Sequence, residues 1–497
     1  MNWNQGYYTG EGYTYGVYDE LFPERLTLTA LLKGHTPPDL QQPFHYLDLG
    51  CGQGVNLCVM AANHPHAHFV GVDFLPAHIA HARTLAKAAG LSNVRFEEAD
   101  FLALANSPPV NWPAFDMVAA HGILSWISPS LREALLALTS QVLRPGGLFY
   151  VSHNTLPGWL DRVPLQHLAA GFLQRGAPGP EAFRQAVELC TALGEADANL
   201  FKGHPSLTEA LQQLAGKDPA YLRQEYLNAH WEPLFVDRVM RMAKAEKLEW
   251  IGSTTLLDRL DAMWPEPFRE LIKAQPDIEL QELVRDLLLN QSFRRDVYAK
   301  GVQPLWGPVQ QQLIDDLRLM LISPEALQDP NYFSLQLGIT TYAAPEKRYR
   351  PLLERIADQP LSLQELAQAL PDQPVQQLRS QLVLLLAARR VAQVPCPQVE
   401  CQPAQRFNRH VAEAVSSGAP YRHMALPLQG NSLPLLEVDM LALDGLAKGI
   451  QSTALQQHVE HQLRHLKRQP GQPSTAKAIS LLLSRKLPIL QRFGGWP

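Results

Sequence analysis

Three features of this 497-residue chain predict an α/β protein built on a doubly wound sheet. The stretch "HYLDLGCGQGVN", residues 45–56, joins an apolar run to a helix-spaced run through three glycines at alternate positions. Strand-like segments then alternate with helix-spaced ones as far as residue 154, and two of those strands end in acids, Asp73 and Asp100. Such alternation builds a parallel sheet with helices on both faces and a ligand at the carboxyl ends of its strands.

Each element follows in order. Residues 44–49 form the first expected strand. Gly50, Gly52 and Gly54 let backbone N–H groups and a helix N-terminus approach a ligand closely, and Val55, Leu57, Val59 and Met60 give the helix over 55–64. "AHFVGVDF" (67–74) is the second strand, ending in Asp73, where a carboxylate can accept hydrogen bonds from a ribose diol. "VRFEEADF" (94–101) is the third, with Asp100 and Phe101 suited to the edge and face of an adenine. "FDMVAAHGILSWI" (115–127) is the fourth, and "GGLFYVSHN" (146–154), after an "LRPGG" turn, is the fifth.

The ligand is narrowed by what is missing. The spacing is GxGxG and not the dinucleotide GxGxxG, and no lysine or arginine lies between Lys33 and Arg83 to meet a pyrophosphate. An acid two residues ahead of the turn, Asp48, suits an ammonium group, and the helix N-terminus suits a carboxylate. S-adenosylmethionine offers both groups, with a sulfonium and no phosphate. A nicotinamide enzyme and a turn with no ligand are the alternatives. "LDLGCGQG", "GVDF", "EEADF" and "LRPGG" resemble the successive motifs of class I S-adenosylmethionine-dependent methyltransferases. "VYDELFPERL" (17–26), "AHGILSWI" (120–127), "VSHNTLPGW" (151–159), "QEYLNAHWEPLFVDRV" (224–239) and "NQSFRRDVYAKG" (290–301) narrow that resemblance. Together they are similar to the bacterial group carrying a methyltransferase regulatory domain, whose relatives include lysine methyltransferases of bacterial surface proteins. The likeness covers roughly residues 10–305. It implies S-adenosyl-L-methionine as cofactor and S-adenosyl-L-homocysteine as product. Carried over by position, it places Asp48, Gly50, Cys51, Gly52, Gly54, Asn56, Asp73, Phe74, Asp100, Phe101, His121 and Gly122 against the cofactor.

The fold is then expected as a Rossmann-like methyltransferase core over residues 1–159, interrupted by a helical insertion (160–230) that acts as lid or substrate platform. Residues 231–305 complete the sheet through a helix (232–247) and strands at 248–257 and 294–301. A winged-helix-like domain is expected over 306–395, within a mostly α-helical C-terminal region. Its longest helix carries only Arg379, Arg389 and Arg390 among many leucines, which favours packing over entry into a DNA groove. Residues 396–497, with eleven basic and six acidic side chains, are expected to bind a partner or substrate, and 468–477 reads as a flexible linker.

Composition sets the outer limits. Hydrophobic residues are 46% and charged residues 18%, so the chain is globular and too long for one core. A net charge of -5 gives no strong nucleic-acid signal. No run approaches the ~18 apolar residues of a membrane span, and the start "MNWNQGYYTGEGYTYG" does not read as a signal peptide. Five scattered cysteines without CxxC spacing suit a reducing compartment, and a cytoplasmic location is expected. The histidine-rich stretches 63–69 and 458–465 lack the partners of a metal site, so no metal is expected.

Methyl transfer asks for in-line placement and a deprotonated nucleophile. Tyr7, Tyr8, Tyr13, Tyr15 and Tyr18 crowd the N-terminal segment, and Tyr18 is a candidate acceptor for the proton of an amine. His121, at the end of the fourth strand, is placed where methyltransferases of this class flank the reacting centre, as base or packing residue. Base-methylating sequences are missing after the fourth strand, where "HGILSW" stands. The large C-terminal region favours a protein acceptor, with lysine first. A small-molecule methyltransferase and a catalytically silent cofactor-binding regulator are the other readings. Acceptor atom and oligomeric state are not legible.

Overall fold

The computed structural model describes residues 6–7, 14–214, 219–337, 340–394, 399–468 and 474–497. Tyr8, Tyr13, Cys396 and residues 469–473 of the expected linker lie outside them. After helix α1 (Pro23–Leu32), strands and helices alternate: β1 (His45–Leu49), α2 (Val55–Asn63), β2 (His68–Asp73), α3 (Pro76–Ala88), β3 (Val94–Glu98), α4 (Phe101–Asn106), β4 (Phe115–Ala120), α5 (Pro129–Val142) and β5 (Leu143–Asn154). The chain then leaves the sheet for α6 (Val163–Gln174), α7 (Gly179–Glu195), α8 (Asn199–Gly203), α9 (Pro205–Gln212) and α10 (Pro219–Tyr226). It returns through α11 (Val236–Ala245), β6 (Leu248–Ser253), α12 (Glu266–Lys273), α13 (Ile278–Leu289) and β7 (Phe293–Lys300).

These strands make one seven-stranded sheet in the order β3-β2-β1-β4-β5-β7-β6. The segments at 248–253 and 293–300 therefore do complete the sheet begun at residue 45. It is mixed and not wholly parallel, because β7 runs antiparallel to both β5 and β6. Two strands are shorter than the sequence predicts, each for a local reason. The fourth stops at Ala120, and Gly122, at φ 69, turns the chain out of the sheet. The third stops at Glu98, because the Asp100 carboxylate accepts from Ala103 N at 2.8 Å and starts α4 instead. The fifth is longer, beginning at Leu143 and absorbing the "RPGG" residues.

The glycine turn has a mixed cause. Gly50, Gly52 and Gly54 all have positive φ, at 81, 53 and 73. A Cβ on Gly50 would lie 2.1 Å from Ile123 Cδ1, and one on Gly54 would lie 2.4 Å from Ala82 Cβ. Gly54 is thus the packing glycine that seats α2 against α3. A Cβ on Gly52 would meet nothing within 4 Å.

Beyond residue 305, α14 (Gly307–Asp315), β8 (Leu319–Leu321), β9 (Ser334–Leu337), β10 (Thr340–Ala343), α15 (Glu346–Arg355), α16 (Leu363–Ala369), α17 (Val375–Ala387) and β11 (Val391–Gln393) form a compact unit. In it β11 pairs with β8, and Leu378, Leu382 and Leu385 of α17 are buried. The arginines of this helix and its end are committed within the chain. Arg379 forms a fork on Asp315 at 2.6 Å, Arg389 reaches Asp19 at 2.5 Å, and Arg390 stacks over Tyr332. The final part comprises α18 (Gln402–Ser416), a hairpin of β12 (His423–Leu426) and β13 (Asn431–Pro434), α19 (Glu437–Ala447) and α20 (Ser452–His465), then α21 (Thr475–Leu481) and α22 (Leu487–Arg492).

That last part does not stand apart from the sheet. Phe407, Val411 and Met424 share one buried cluster with Leu57, Val59 and Met60 of α2, and Asn63 Nδ2 donates to Asn431 O at 2.8 Å. Removing residues 306–497 therefore strips apolar cover from the helix that follows the glycine turn. A truncated chain is expected to lose the cofactor helix along with the C-terminal region.

One polar cluster pins β7 from within. Arg294 is fully buried and donates to Asp296 at 2.7 Å, Asp286 at 2.6 Å and Glu282 at 2.9 Å; Glu282 also meets Arg259 at 2.6 Å. Removing the cation would leave buried carboxylates uncompensated. Arg294→Ala is expected to destabilise the protein by about 3–5 kcal/mol, measured by chemical denaturation.

Candidate active site

The carboxyl ends of the central strands open into a cavity lined by Gly50 and Gly52 on one side, Asp73 and Phe74 on a second, and Asp100 and Phe101 on a third. His121, Ile123 and Trp126 close it at the end of β4, and Tyr7 from the N-terminal segment covers it. Tyr7 is held edge-on to Phe74, with ring centroids 5.5 Å apart. Asp73 is fixed by its own surroundings: Oδ2 accepts from Gly52 N at 3.0 Å, Oδ1 accepts from Leu75 N at 2.9 Å, and His78 Nδ1 lies 3.3 Å away.

Charge distinguishes what this cavity can hold. Among the described residues its lining has two aspartates and neither lysine nor arginine. A pyrophosphate would find no cation here, whereas an adenosine carrying positive charge meets carboxylates, backbone N–H groups and the apolar side chains of Phe101, Ile123 and Leu131. The empty space over Gly52 leaves room for a ligand against the backbone. Asn56, buried in the first turn of α2, accepts from Tyr18 N at 2.9 Å through Oδ1 and leaves its Nδ2 without a hydrogen-bond partner. Asp48 sits behind the turn, where burial first and the Asp73 charge second push its pKa up to about 7.

A second cavity adjoins the first. It is lined by Tyr18, Glu20, His121, Gly122, Trp126, Asn154, Trp159, Arg162, Glu225, Ser292, Phe293 and Arg295, and it shares His121 and Trp126 with the cofactor cavity. All of these but Arg162 fall in the five motifs that narrow the family resemblance. Segments scattered from residue 17 to residue 301 thus converge on one place, to which the helical insertion contributes Arg162 and Glu225.

His121 occupies the junction. Its ring stacks on Tyr18 at a centroid distance of 4.0 Å and lies parallel to Tyr150, and Phe293 meets it edge-on. Nδ1 lies 3.0 Å from the Tyr150 hydroxyl and 3.1 Å from Ser152 Oγ. Ser152 Oγ also accepts from Gly122 N at 2.8 Å, which ties the turn after β4 to β5. Burial pushes the His121 pKa down to about 4, and the ring is neutral at physiological pH. Glu20 is held below the usual carboxylate range: burial opposes this, but neighbouring His121 first and the Arg295 guanidinium, 2.6 Å away, second outweigh it.

The positions inferred from sequence sort into two sets. Gly50, Gly52, Asp73, Phe74, Asp100, Phe101 and His121 line the cofactor cavity, and Tyr18, His121 and Gly122 line the adjoining one. Asp48, Cys51, Gly54 and Asn56 lie behind the lining and shape the turn. Sequence reasoning missed Ile123 and Trp126 as cofactor-cavity walls, and it missed Glu20, Asn154 and Glu225 opposite them. The signal was present, since the quoted motifs contain all five, but nothing in the linear pattern says which motif residues point inward. Among the described residues no group of three or more metal-ligating side chains occurs, and no helix is long and apolar enough to cross a membrane.

Comparison with known proteins gives two family matches, a methyltransferase domain over residues 41–177 and a predicted methyltransferase regulatory domain over residues 218–300. An uncharacterised protein from Synechocystis is 35% identical over 74% of this chain and 72% of its own length. An uncharacterised protein from Rickettsia prowazekii is 26% identical over 57% of this chain, which spans half of that relative's length. A trans-aconitate 2-methyltransferase from Methylobacterium nodulans is 32% identical, over 27% of this chain and 46% of that protein. Among solved structures, PKMT2 from Rickettsia typhi in complex with S-adenosylhomocysteine aligns over 96% of this chain and 99% of its own, with a TM-score of 0.72 and 19% identity.

Two results are expected of the cofactor cavity. Asp73→Ala removes a carboxylate that backbone donors have already aimed, and should weaken S-adenosylmethionine binding by about 1.5–3 kcal/mol in calorimetry. Asp48 gives a pH signature. It keeps its proton below about pH 7 in the free protein, and a cationic ligand beside it favours the ionised form. Binding should therefore release a proton, with affinity rising as pH rises through roughly 6–8, and Asp48→Asn should flatten that rise.

Proposed function

From the premise that this chain belongs to the class I S-adenosylmethionine-dependent methyltransferases carrying a methyltransferase regulatory domain, we propose that its acceptor is a protein amine, lysine above all. The observation that carries this reading is the second cavity, lined with aromatic rings and carboxylates and meeting the cofactor cavity at His121 and Trp126. S-adenosylmethionine supplies an electrophilic methyl group, so the protein's task is to bring a neutral nitrogen in line with it. Rings of Tyr18, Trp126, Trp159 and Phe293 surround the approach, and their faces favour a cationic or methylated nitrogen. Burial among them lowers the pKa of an amine and so eases loss of its proton.

Within this reading Tyr18 and His121 divide the work. The Tyr18 hydroxyl accepts a hydrogen bond from the incoming amine, while its backbone N–H on Asn56 ties the segment to the cofactor helix. His121, neutral and stacked on Tyr18, holds that ring and seals the junction; a pKa near 4 makes it a weak base for an amine. A small acid such as trans-aconitate is the second reading, and the two arginines of the cavity would be its anchors. Both are engaged, however: Arg295 by Glu20, and Arg162 by the Trp159 ring at 4.9 Å and by Gln213 Oε1 at 3.3 Å.

Incubation of the full chain with labelled S-adenosylmethionine and bacterial lysate should place label in protein, in an acid-stable form assignable to lysine by mass spectrometry. Label confined to small metabolites would defeat the proposal. Tyr18→Phe should lower kcat about tenfold with S-adenosylhomocysteine affinity unchanged, because the hydroxyl acts on the amine and not on the nucleoside.

A further inference from the structure

We infer that the C-terminal region is part of the cofactor site: it holds the glycine turn through two positioning residues, Tyr421 and His81, in a relay that ends on the backbone carbonyl of Gln53. The inference is independent of which acceptor is methylated. His81 lies on α3, and its Nδ1 is 2.7 Å from Gln53 O. Its Nε2 is 3.0 Å from the hydroxyl of Tyr421, which sits between α18 and β12. A carbonyl oxygen only accepts, so Nδ1 carries the ring proton. Burial draws the His81 pKa below the ordinary histidine value, which leaves Nε2 as an acceptor. Burial also pushes the Tyr421 pKa up to about 12, so the phenol keeps its proton. The direction of the relay is therefore fixed: Tyr421 O–H donates to His81 Nε2, and His81 Nδ1–H donates to Gln53 O.

Gln53 stands between Gly52 and Gly54, both at positive φ, so the bond on its carbonyl fixes the middle of the turn. On one side Gly52 N donates to Asp73 Oδ2 at 3.0 Å, and His78, one turn before His81 on α3, places Nδ1 3.3 Å from Asp73 Oδ1. On the other side Gly54 packs against Ala82, the residue after His81. Helix α3 thus holds three successive turn residues, Gly52 by way of Asp73, Gln53 and Gly54. A turn held this way presents its N–H groups already aimed, and a ligand binds without a further ordering cost. Tyr421 is itself fixed: it is 7% exposed, its carbonyl accepts from Arg422 Nη1 at 2.8 Å, and Arg422 Nη2 lies 3.2 Å from Glu437. Tyr15 packs edge-on against both members of the pair, with centroids 5.1 Å from His81 and 6.2 Å from Tyr421. The segment that carries Tyr18 to the second cavity therefore rests on the same two rings, and a shift of the C-terminal region reaches this segment and the turn together.

Calorimetry with S-adenosylhomocysteine on the full chain tests the relay. Tyr421→Phe keeps the ring against Tyr15 and removes only the hydroxyl; it should weaken binding about three- to tenfold. His81→Asn keeps a donor near the Nδ1 position but cannot reach Tyr421. Adding Tyr421→Phe to it should therefore cost nothing more, because both changes cut one path. Hydrogen exchange followed by mass spectrometry should rise over residues 50–56 in Tyr421→Phe and stay unchanged in β4 and β5. Ser416→Ala is the control. It removes a 2.7 Å hydrogen bond to Asp444 in the same region, and it should lower thermal stability with S-adenosylhomocysteine affinity unchanged. Wild-type affinity in Tyr421→Phe, or losses that simply add in the double variant, would overturn the relay. So would an equal loss of affinity in Ser416→Ala, which would show that general loosening of the C-terminal region, and not the path through His81, governs the turn.

Discussion

The antiparallel pairing of β7 with β5 is the constraint on which the site depends. Seven residue pairs, from Leu148↔Ala299 to Asn154↔Phe293, bring the chain back beside β5 after a long excursion. Because β7 runs opposite to β5, it enters at the carboxyl edge of the sheet, where the cofactor cavity opens. The residues just before and at its start, Ser292 and Phe293, are thereby delivered next to Asn154. Strand alternation does the rest: Phe293 and Arg295 line the second cavity, while Arg294 and Asp296 enter the buried ion cluster with Asp286 and Glu282. The excursion itself, anchored at both ends at that edge, has to lie across the cavity mouth.

Electrostatics then assigns each space its ligand. Among the described residues the cofactor cavity is acidic and lined by no lysine or arginine, so it suits a cationic nucleoside and repels phosphates. The adjoining cavity contains two guanidiniums and two carboxylates, but Glu20 and Arg295 cancel each other within hydrogen-bonding distance. Between the two spaces stands an imidazole kept neutral by burial, which adds no positive charge where, on the proposed reading, a sulfonium and an amine meet. A protonated histidine at this junction would repel the sulfonium.

Much of this was legible in the sequence, and the reasons are physical. A strand, a glycine turn and a helix are local events whose residue requirements lie within a dozen positions, so the walls of the first cavity, Asp73 and Phe101 included, could be named from the sequence. Strand ends were less legible: Asp100 belongs to a helix cap and Gly122 to a turn, and both look like strand continuations in the hydrophobic pattern. The return of β6 and β7 was foreseen because the core lacked strands, yet the reversed direction of β7 leaves no trace in composition. The acceptor side was the least legible part. Glu20, Asn154 and Glu225 lie far apart in the sequence, on three different segments, and only folding shows that they face one space. The C-terminal region was read as a separate binding unit, whereas its Phe407 and Met424 complete the core around α2. Shared burial of that kind is invisible to periodicity, which reports that a face is apolar but not what covers it.

The central claim is that the methyl group is presented at the gap between His121, Trp126 and Tyr18. A crystal structure of the full chain with S-adenosylhomocysteine tests it most directly. The account predicts that the ribose hydroxyls lie on Asp73 and that the sulfur faces the His121–Trp126 junction, open to the cavity that Glu225 lines. A sulfur turned away from that junction, or walled off from the second cavity, would contradict it.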